Sequence, residues 1–264
     1  MKKYLVIGNP IEHSLSPKLH NFWLRKNKID AIYEKKLLNE NEIENIILKI
    51  RSNELHGVNV TVPYKNTVVQ HMDILTKEAN ETKSVNTIYT KDQKIIGHNT
   101  DIAGFELGIR SYGYDIKKKN IFIFGAGGVV PSIIAALKKM GASKIFLYNR
   151  TVSKSENIKK LFGDIEIIDK QNIPNDTDML INASSLGINK NDKIDLNYKK
   201  IGSNKFYYDV IYNPVETFFL KEAKKFGNKV ENGKKMFIYQ AHQAFAIWHN
   251  VFPKIDEEVE KLLD

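Results

Sequence analysis

The chain has 264 residues, enough for two domains of ordinary size or for one large α/β unit. A hydrophobic fraction of 42% and a charged fraction of 27% are typical of a folded globular protein and exclude extensive disorder. The net charge of +9 is compatible with acidic ligands. Nucleic-acid-binding proteins rely on arginine and on clustered basic residues, but only four of the 40 basic residues of this chain are arginine. Because the lysines are scattered, we expect no nucleic-acid partner.

Residue usage also excludes several kinds of site. The chain has no cysteine, which excludes a disulfide framework, a thiolate nucleophile and a cysteine zinc site. The seven histidines match no metal-ligand spacing, so we predict no bound metal. The uncharged run 121–137 contains three glycines and a proline and is shorter than the ~20 residues of a membrane span. We therefore expect a cytoplasmic protein with no membrane partner.

Short β-rich segments alternate with helical periods along the chain, which predicts an α/β protein with parallel sheets and right-handed crossovers. In chain order, strands are predicted at 4–7, 31–35, 58–62, 85–89, 94–97, 121–124, 144–148, 165–168, 179–182, 206–210 and 229–230. Helices are predicted at 17–26, 41–51, 64–71, 101–112, 131–140, 153–162, 215–226 and 234–250.

Three polar clusters in the first hundred residues follow no core periodicity. In the first, Ser16 before Pro17 is explained as a helix cap, but Ser14 is not, and two hydroxyls at a helix N-terminus would suit a carboxylate. In the second, the strand 58–62 delivers Thr61 and Lys65 to its carboxyl end, where open α/β sheets bind ligands.

The third cluster pairs the stretch 84–87, which contains Asn86, with the stretch 97–101, which ends in Asp101, each at the end of a predicted strand. One such residue alone is usually part of a turn or a cap, whereas all three clusters together favour a binding site. Gln240 lies on the apolar face of the last long helix, where a polar amide needs a partner. The sequence leaves open whether the partner of the Gln240 amide lies in the core or in a binding site.

The strand 121–124 runs directly into Gly125-Ala126-Gly127-Gly128-Val129, and a helix follows. In this context Gly125 permits the tight turn and Gly127 lets the backbone approach a pyrophosphate at the helix N-terminus. We therefore predict a dinucleotide site, with a glycine turn that binds no nucleotide as the alternative.

The end of the following strand distinguishes NAD from NADP. An NAD site requires an acidic residue there for the ribose, whereas an NADP site requires a cation for the 2′-phosphate. The chain has Asn149, Arg150 and Thr151 at this point, with Lys154 close behind and no acid. The sequence predicts NADP(H).

Nine stretches, in order and in register, resemble the shikimate dehydrogenase family over nearly the whole chain. They are GNPIEHSLSPKLHN, GVNVTVPYK, SVNT, GHNTDIAGF, GAGG, NRT, INASSLGI, DVIYNPVET and NGKKMFIYQAHQAF. The resemblance implies two α/β domains with a cleft between them. An open α/β substrate domain would comprise residues 1–101, completed by helices in 233–264, and a Rossmann-type NADP-binding domain would comprise 102–232.

The resemblance also implies an activity: reversible reduction of 3-dehydroshikimate to shikimate by NADPH, in the biosynthesis of chorismate and aromatic amino acids. Lys65 and Asp101 would form the catalytic pair. The implied shikimate contacts are Ser14, Ser16, Thr61, Lys65, Asn86, Asp101, Tyr212 and Gln240. The implied cofactor contacts are Gly125, Ala126, Gly127, Gly128, Val129, Asn149, Arg150, Thr151, Lys154, Val210 and Gly233.

Two other functions stay open from the sequence. A dehydrogenase acting on quinate as well as shikimate is disfavoured by Ser14, and use of NAD is disfavoured by Arg150. A non-catalytic NADP-binding regulator of the same fold would be expected to lack Lys65 or Asp101, and both are present. The expected partner is the small-molecule substrate, with a homodimer as a further option.

Overall fold

The computed structural model describes residues 1–189 and 191–263. The chain divides into two compact units, which we call unit 1 (residues 1–104 and 238–264) and unit 2 (residues 105–237). Each unit contains a six-stranded, mainly parallel sheet. The α/β class predicted from the alternating pattern is therefore confirmed.

Unit 1 is built on the sheet order β2-β1-β3-β5-β6-β4. Its strands are β1 (Lys2–Gly8), β2 (Ala31–Leu37), β3 (Gly57–Val60), β4 (Ile74–Leu75), β5 (Thr87–Lys91) and β6 (Lys94–His98). Its helices begin with α1 (Ser16–Lys26), α2 (Ile43–Arg51) and α3 (Lys77–Thr82), and α4 (Asp101–Ser111) starts in this unit.

Two predictions for unit 1 are wrong. The sheet is not wholly parallel, because β5 pairs antiparallel with both β3 and β6. Asp92 and Gln93 connect β5 to β6 with φ angles of 50° and 59°, the left-handed pair of a tight hairpin. The helix predicted at 64–71 is instead a turn followed by a 3-10 helix, Thr67–His71, since the β-branched run at its start disfavours an α-helix.

Unit 2 contains a wholly parallel sheet in the order β12-β11-β10-β7-β8-β9. Its strands are β7 (Asn120–Phe124), β8 (Lys144–Tyr148), β9 (Glu166–Ile167), β10 (Met179–Asn182), β11 (Phe206–Asp209) and β12 (Lys229–Glu231). This is the order of the doubly wound dinucleotide-binding fold, whose strand order reverses between β7 and β10.

The helices of unit 2 are α5 (Val130–Lys139), α6 (Val152–Phe162), α7 (Tyr198–Ile201) and α8 (Phe218–Lys225). The predicted helix 215–226 starts later than expected, because the Thr217 hydroxyl caps it by accepting from the Leu220 N–H. The uncharged run 121–137 forms β7, the glycine turn and most of α5. Among the helices of the described ranges, none has the length and apolar character that crossing a membrane requires.

Two C-terminal helices complete the chain, α9 (Lys234–His249) and α10 (Glu257–Leu262). The Trp248 indole N–H of α9 donates to the Ile88 carbonyl of β5 at 3.1 Å. Its ring lies over Gly57 of β3, where a Cβ atom would come within 2.3 Å of the indole nitrogen. Glycine at position 57 is therefore required for α9 to lie against the sheet of unit 1.

We expect Gly57→Ala to lower the free energy of unfolding by about 1–3 kcal/mol, because the added methyl group forces the indole away from β3. Urea unfolding followed by circular dichroism would measure the loss. In a Trp248→Phe background the same substitution should be less destabilising. An equal effect in both backgrounds would contradict the proposed overlap.

Candidate active site

One edge of the unit 1 sheet brings together the three polar clusters of the first hundred residues. The parallel strands β1, β3 and β6 all end at this edge, and the antiparallel strand β5 begins there. The sheet therefore brings together the segments after Gly8, after Val60, before Thr87 and after His98. These are the polar clusters that the sequence singled out.

Lys65 and Asp101 form a buried ion pair at this edge. The Lys65 Nζ atom lies 2.5 Å from Asp101 Oδ2, and the two side chains are only 10% and 6% exposed. Removing one charge would leave the other buried without a counter-ion, which is unfavourable by several kcal/mol. The two residues, 36 positions apart in sequence, are thus held together as a unit.

Asn86 fixes the other carboxylate oxygen of Asp101. Its amide Nδ2 donates to Asp101 Oδ1 and to Thr100 Oγ1, both at 2.9 Å. Its Oδ1 accepts from the Thr100 backbone N–H at 2.8 Å. The Asn99 side chain in turn accepts from the Asp101 N–H at 3.0 Å. Asp101 is therefore positioned on both oxygens before any ligand binds.

Buried residues that were not predicted as site residues support Asn86 from behind. Thr87 Oγ1 donates to Asn86 Oδ1 at 3.1 Å and accepts from the Asn59 amide at 3.0 Å. Asn59 accepts in turn from the Tyr33 hydroxyl at 2.6 Å. Burial raises the pKa of Tyr33 far above its ordinary value of 10, so this hydroxyl stays a neutral donor. A polar amide in the middle of the apolar strand β3 was the signal for Asn59.

The expected role of Ser16 as a helix cap is wrong. Helix α1 starts at Ser16 itself, its N-cap residue is Leu15, and no side chain caps it. The Ser16 side chain instead lies next to the Tyr33 phenol, whose pKa it lowers against the larger effect of burial. Ser14 lies just before the helix, half-buried, and its Oγ accepts from the Ser16 N–H at 3.4 Å.

The two remaining candidates of unit 1, Thr61 and Gln240, are both half-buried. Thr61 follows β3, and its backbone N–H donates to the Ile7 carbonyl at 2.9 Å, which ties the ends of β1 and β3 together. Gln240 lies on α9 next to the fully buried Ala241.

In unit 2, the glycine turn has the shape that a dinucleotide pyrophosphate requires. Gly125 has a φ angle of +107°, and a Cβ atom there would lie 2.6 Å from the Ala183 carbonyl oxygen. At the exposed Gly127 the nearest such atom is 4.0 Å away, so the turn is open to a ligand. Val129 precedes α5 with no side-chain cap, which leaves this helix N-terminus to a phosphate. Ala126 and Gly128 complete the turn.

The predicted 2′-phosphate residues lie at the end of β8. Arg150, Thr151 and Lys154 are all exposed, and Asn149 Nδ2 donates to the Thr151 carbonyl at 2.8 Å. Within residues 1–189 and 191–263, no carboxylate lies within 4.0 Å of the Arg150 or Lys154 cation. Both cations are therefore available to an anionic ligand, and the residues present fit NADP.

Three further candidates surround the end of β11. Val210 follows this strand directly, and Gly233 packs so closely on it that a Cβ atom would lie 2.1 Å from the Val210 carbonyl oxygen. The Tyr212 ring lies 4.7 Å from the Phe237 ring, centroid to centroid. All three belong to unit 2. Tyr212 is the one predicted shikimate contact in this unit, since the others belong to unit 1.

Comparison with known proteins identifies the family. The model of the shikimate dehydrogenase substrate binding domain matches residues 6–88, and the shikimate / quinate 5-dehydrogenase model matches residues 106–208. The chain is 55% identical over 263 residues to the shikimate dehydrogenase (NADP(+)) of Pelagibacter ubique, covering 100% of this chain and 99% of the relative. The chain belongs to the shikimate dehydrogenase family.

Solved structures of this family have the same fold. The shikimate dehydrogenase of Aquifex aeolicus superposes with a TM-score of 0.92 at 32% identity, covering 100% of this chain and 97% of the other. The enzyme of Thermus thermophilus, crystallised with NADP(H) and shikimate, gives a TM-score of 0.90 at 28% identity, covering 100% and 98%. The resemblance predicted from the nine sequence stretches is therefore confirmed.

We expect Asp101→Asn to lower the free energy of unfolding by roughly 3–5 kcal/mol, because the buried Lys65 charge then has no counter-ion. The double variant Lys65→Met, Asp101→Asn should lose less than the sum of the two single losses. Urea unfolding of the four proteins completes the cycle.

The exposed pair Lys26 and Glu258 provides a matched control. Its N–O distance is 2.8 Å, but the side chains are 54% and 57% exposed. Glu258→Gln should therefore change stability by only about 0.2–1 kcal/mol. Equal losses for Asp101→Asn and Glu258→Gln would contradict the role of burial in stabilising the pair.

Proposed function

We propose that this chain catalyses the reversible, NADP-dependent reduction of 3-dehydroshikimate to shikimate, a step in the biosynthesis of aromatic amino acids. The observation that carries the proposal is the buried Lys65–Asp101 pair at the ligand-binding edge of the sheet, in a chain of the shikimate dehydrogenase family. A relative 55% identical to this chain bears the name shikimate dehydrogenase (NADP(+)).

Lys65 is the group that handles charge at the reacting carbonyl. When bound, NADPH supplies the hydride that reduces the ketone. Negative charge then develops on the carbonyl oxygen, and the Lys65 ammonium stabilises this charge and donates a proton to the oxygen. Asp101 orients the ammonium and accepts a hydrogen bond from a substrate hydroxyl. In the oxidative direction the pair accepts the proton.

The remaining polar side chains of the site bind and orient the substrate. We propose that the hydroxyls of Ser14 and Ser16, near the N-terminus of α1, bind the shikimate carboxylate. Thr61, Asn86 and Gln240 contact the ring hydroxyls. Because Asn86 is already held by Thr87 and Thr100, this side of the site needs little reorganisation on binding.

The cofactor is held in unit 2. The glycine turn and the N-terminus of α5 bind the pyrophosphate, and Arg150 with Lys154 binds the 2′-phosphate. A planar guanidinium can bind the 2′-phosphate of NADP through two parallel N–H bonds. NAD has a 2′-hydroxyl at this position, which carries no charge for the guanidinium to bind. This preference for a phosphate favours NADP over NAD.

A rate assay tests the proposal directly. Shikimate with NADP should give a rise in the near-ultraviolet absorbance of NADPH, and shikimate with NAD a slower one. Quinate in place of shikimate tests the broader specificity that the second family model names. No shikimate-dependent reduction of either cofactor would contradict the proposed activity.

We expect Lys65→Met to lower kcat by about 10²–10⁴-fold with little change in KM for shikimate, since the lost proton donor acts mainly in the transition state. Lys49→Met is the control, because Lys49 forms a surface pair with Glu54 at 2.7 Å and should leave kcat unchanged. Near-normal turnover of Lys65→Met would exclude Lys65 as the proton donor.

We expect Arg150→Leu to raise KM for NADP by about tenfold or more and to leave KM for NAD nearly unchanged, because only NADP carries the 2′-phosphate. Arg110→Leu is the matched control, since Arg110 is an exposed arginine of unit 2 that pairs with Glu106. Similar increases for the two cofactors would refute the 2′-phosphate role.

A further inference from the structure

Asp209, at the end of β11, lies at the centre of a buried hydrogen-bond network in unit 2. Its carboxylate accepts from the Thr217 hydroxyl at 2.6 Å and from the Ile211 backbone N–H at 3.0 Å. The Asn182 amide donates to both of its oxygens, at 3.1 and 3.0 Å. Asp209, Asn182 and Thr217 are fully buried or nearly so. One carboxylate thus joins the end of β10, the segment after β11 and the start of α8.

Asn182 also forms hydrogen bonds with the loop after β10. Its Nδ2 also donates to the Leu186 carbonyl at 2.9 Å, and its Oδ1 accepts from the Ser184 N–H at 3.0 Å and the Ser184 hydroxyl at 2.7 Å. Ala183 lies between Asn182 and Ser184. Its carbonyl oxygen is the atom that leaves no room for a side chain at Gly125. The loop is therefore one wall of the glycine turn.

The segment after β11 is held in the same way. The Ile211 N–H bonded by Asp209 fixes the backbone next to Val210, and the Ile211 carbonyl accepts from the Gly233 N–H at 3.2 Å. Val210 and Gly233 are two of the proposed cofactor contacts. The network therefore supports the segments on both sides of the proposed NADP site.

The Asp209 carboxylate itself accepts four hydrogen bonds and donates none, and it has no cation within 4.0 Å in the described part of the chain. The ionised form matches this arrangement, because a protonated carboxyl carries an O–H donor of its own and the four surrounding bonds are all donated to it. We propose that Asp209 is a positioning residue, whose ionised carboxylate holds the two loops in the shape that binds NADP(H). This inference rests on the proposed function.

The surroundings of Asp209 make its ionisation sensitive to pH. Burial raises the pKa of Asp209 to about 6, although its hydrogen bonds act in the opposite direction. The neighbouring phenols Tyr198 and Tyr208 stay neutral, since burial raises the pKa of each well above 10. Asp192, on the loop after β10, stays ionised because backbone N–H bonds lower its pKa. Burial also raises the pKa of Glu231 on β12. A pH dependence of the wild type alone therefore does not distinguish Asp209 from Glu231, and the wild type must be compared with a variant at Asp209.

Titration calorimetry with NADP+ on wild type and on Asp209→Asn tests the proposal. The asparagine amide must donate, so it imitates the protonated acid at every pH. We expect the ratio of the two Kd values to be about tenfold at about pH 7.5 and to fall towards one at about pH 5. Taking the ratio cancels the titration of the 2′-phosphate and of Glu231, which both proteins share.

Two controls separate positioning from a general loss of structure. Asp169→Asn makes the same change at an exposed site of unit 2, where Asp169 accepts from the Gln171 N–H, and should leave the Kd for NADP+ unchanged. The Kd for shikimate, measured without cofactor, should be the same in Asp209→Asn as in wild type. If Asp209→Asn does not fold, variants at Thr217 test the same network. Thr217→Val should weaken NADP+ binding, whereas Thr217→Ser, which keeps the hydroxyl, should bind NADP+ as the wild type does.

The unliganded protein gives an independent readout. The pKa of Asp209 is raised above its unfolded value of 3.8, so its ionisation opposes folding. The stabilisation present below about pH 4 should be lost as the pH rises through about 6, and Asp209→Asn should lack this component.

Several results would overturn the inference. Equal Kd values for wild type and Asp209→Asn at about pH 7.5, or a ratio independent of pH, would contradict the role of Asp209 while leaving the proposed function intact. Failure of wild type to bind NADP+ at all would contradict both.

Discussion

The burial of two opposite charges, Lys65 and Asp101, is the constraint on which unit 1 depends. Neither charge is stable in such a place alone, so the fold must deliver both to one point with the remaining oxygen of Asp101 satisfied. The sheet meets this requirement by ending β1, β3 and β6 at one edge and beginning β5 there. Asn86 then bonds the free oxygen. The pair is preorganised, so in the proposed reaction little reorganisation of these side chains remains.

The proposed cofactor site of unit 2 depends on different interactions. Its cradle is backbone, a glycine turn and an uncapped helix N-terminus, and its cations at the end of β8 are exposed rather than buried. Exposed charges attract an anion at little desolvation cost but are screened by salt. The shape of the proposed site therefore has to come from elsewhere, and the buried network around Asp209 is the source that we propose.

The sequence predicted what is local and periodic. The glycine turn, the cations that follow β8 and the polar residues at strand ends were identified because each stands out from the pattern around it. The hairpin at Asp92 and Gln93 was missed, since its strongest signal, a glycine in the turn, is absent. Tyr33 and Asn59 were not assigned because their role depends on which strands become neighbours in the sheet. The order of the strands in a sheet cannot be inferred from any one segment of the sequence. For the same reason Ser16 was interpreted as a cap.

The central claim is that Lys65 and Asp101 act as one unit in the reaction as well as in the fold. It is tested most directly by kcat for wild type, Lys65→Met, Asp101→Asn and the double variant, with shikimate and NADP saturating. If the pair is one unit, the double variant should be slower than the slower single variant by no more than a few-fold, as expected for residues that act together. If the two losses instead multiply, Lys65 and Asp101 contribute independently to catalysis, and the claim that they act as one unit is wrong.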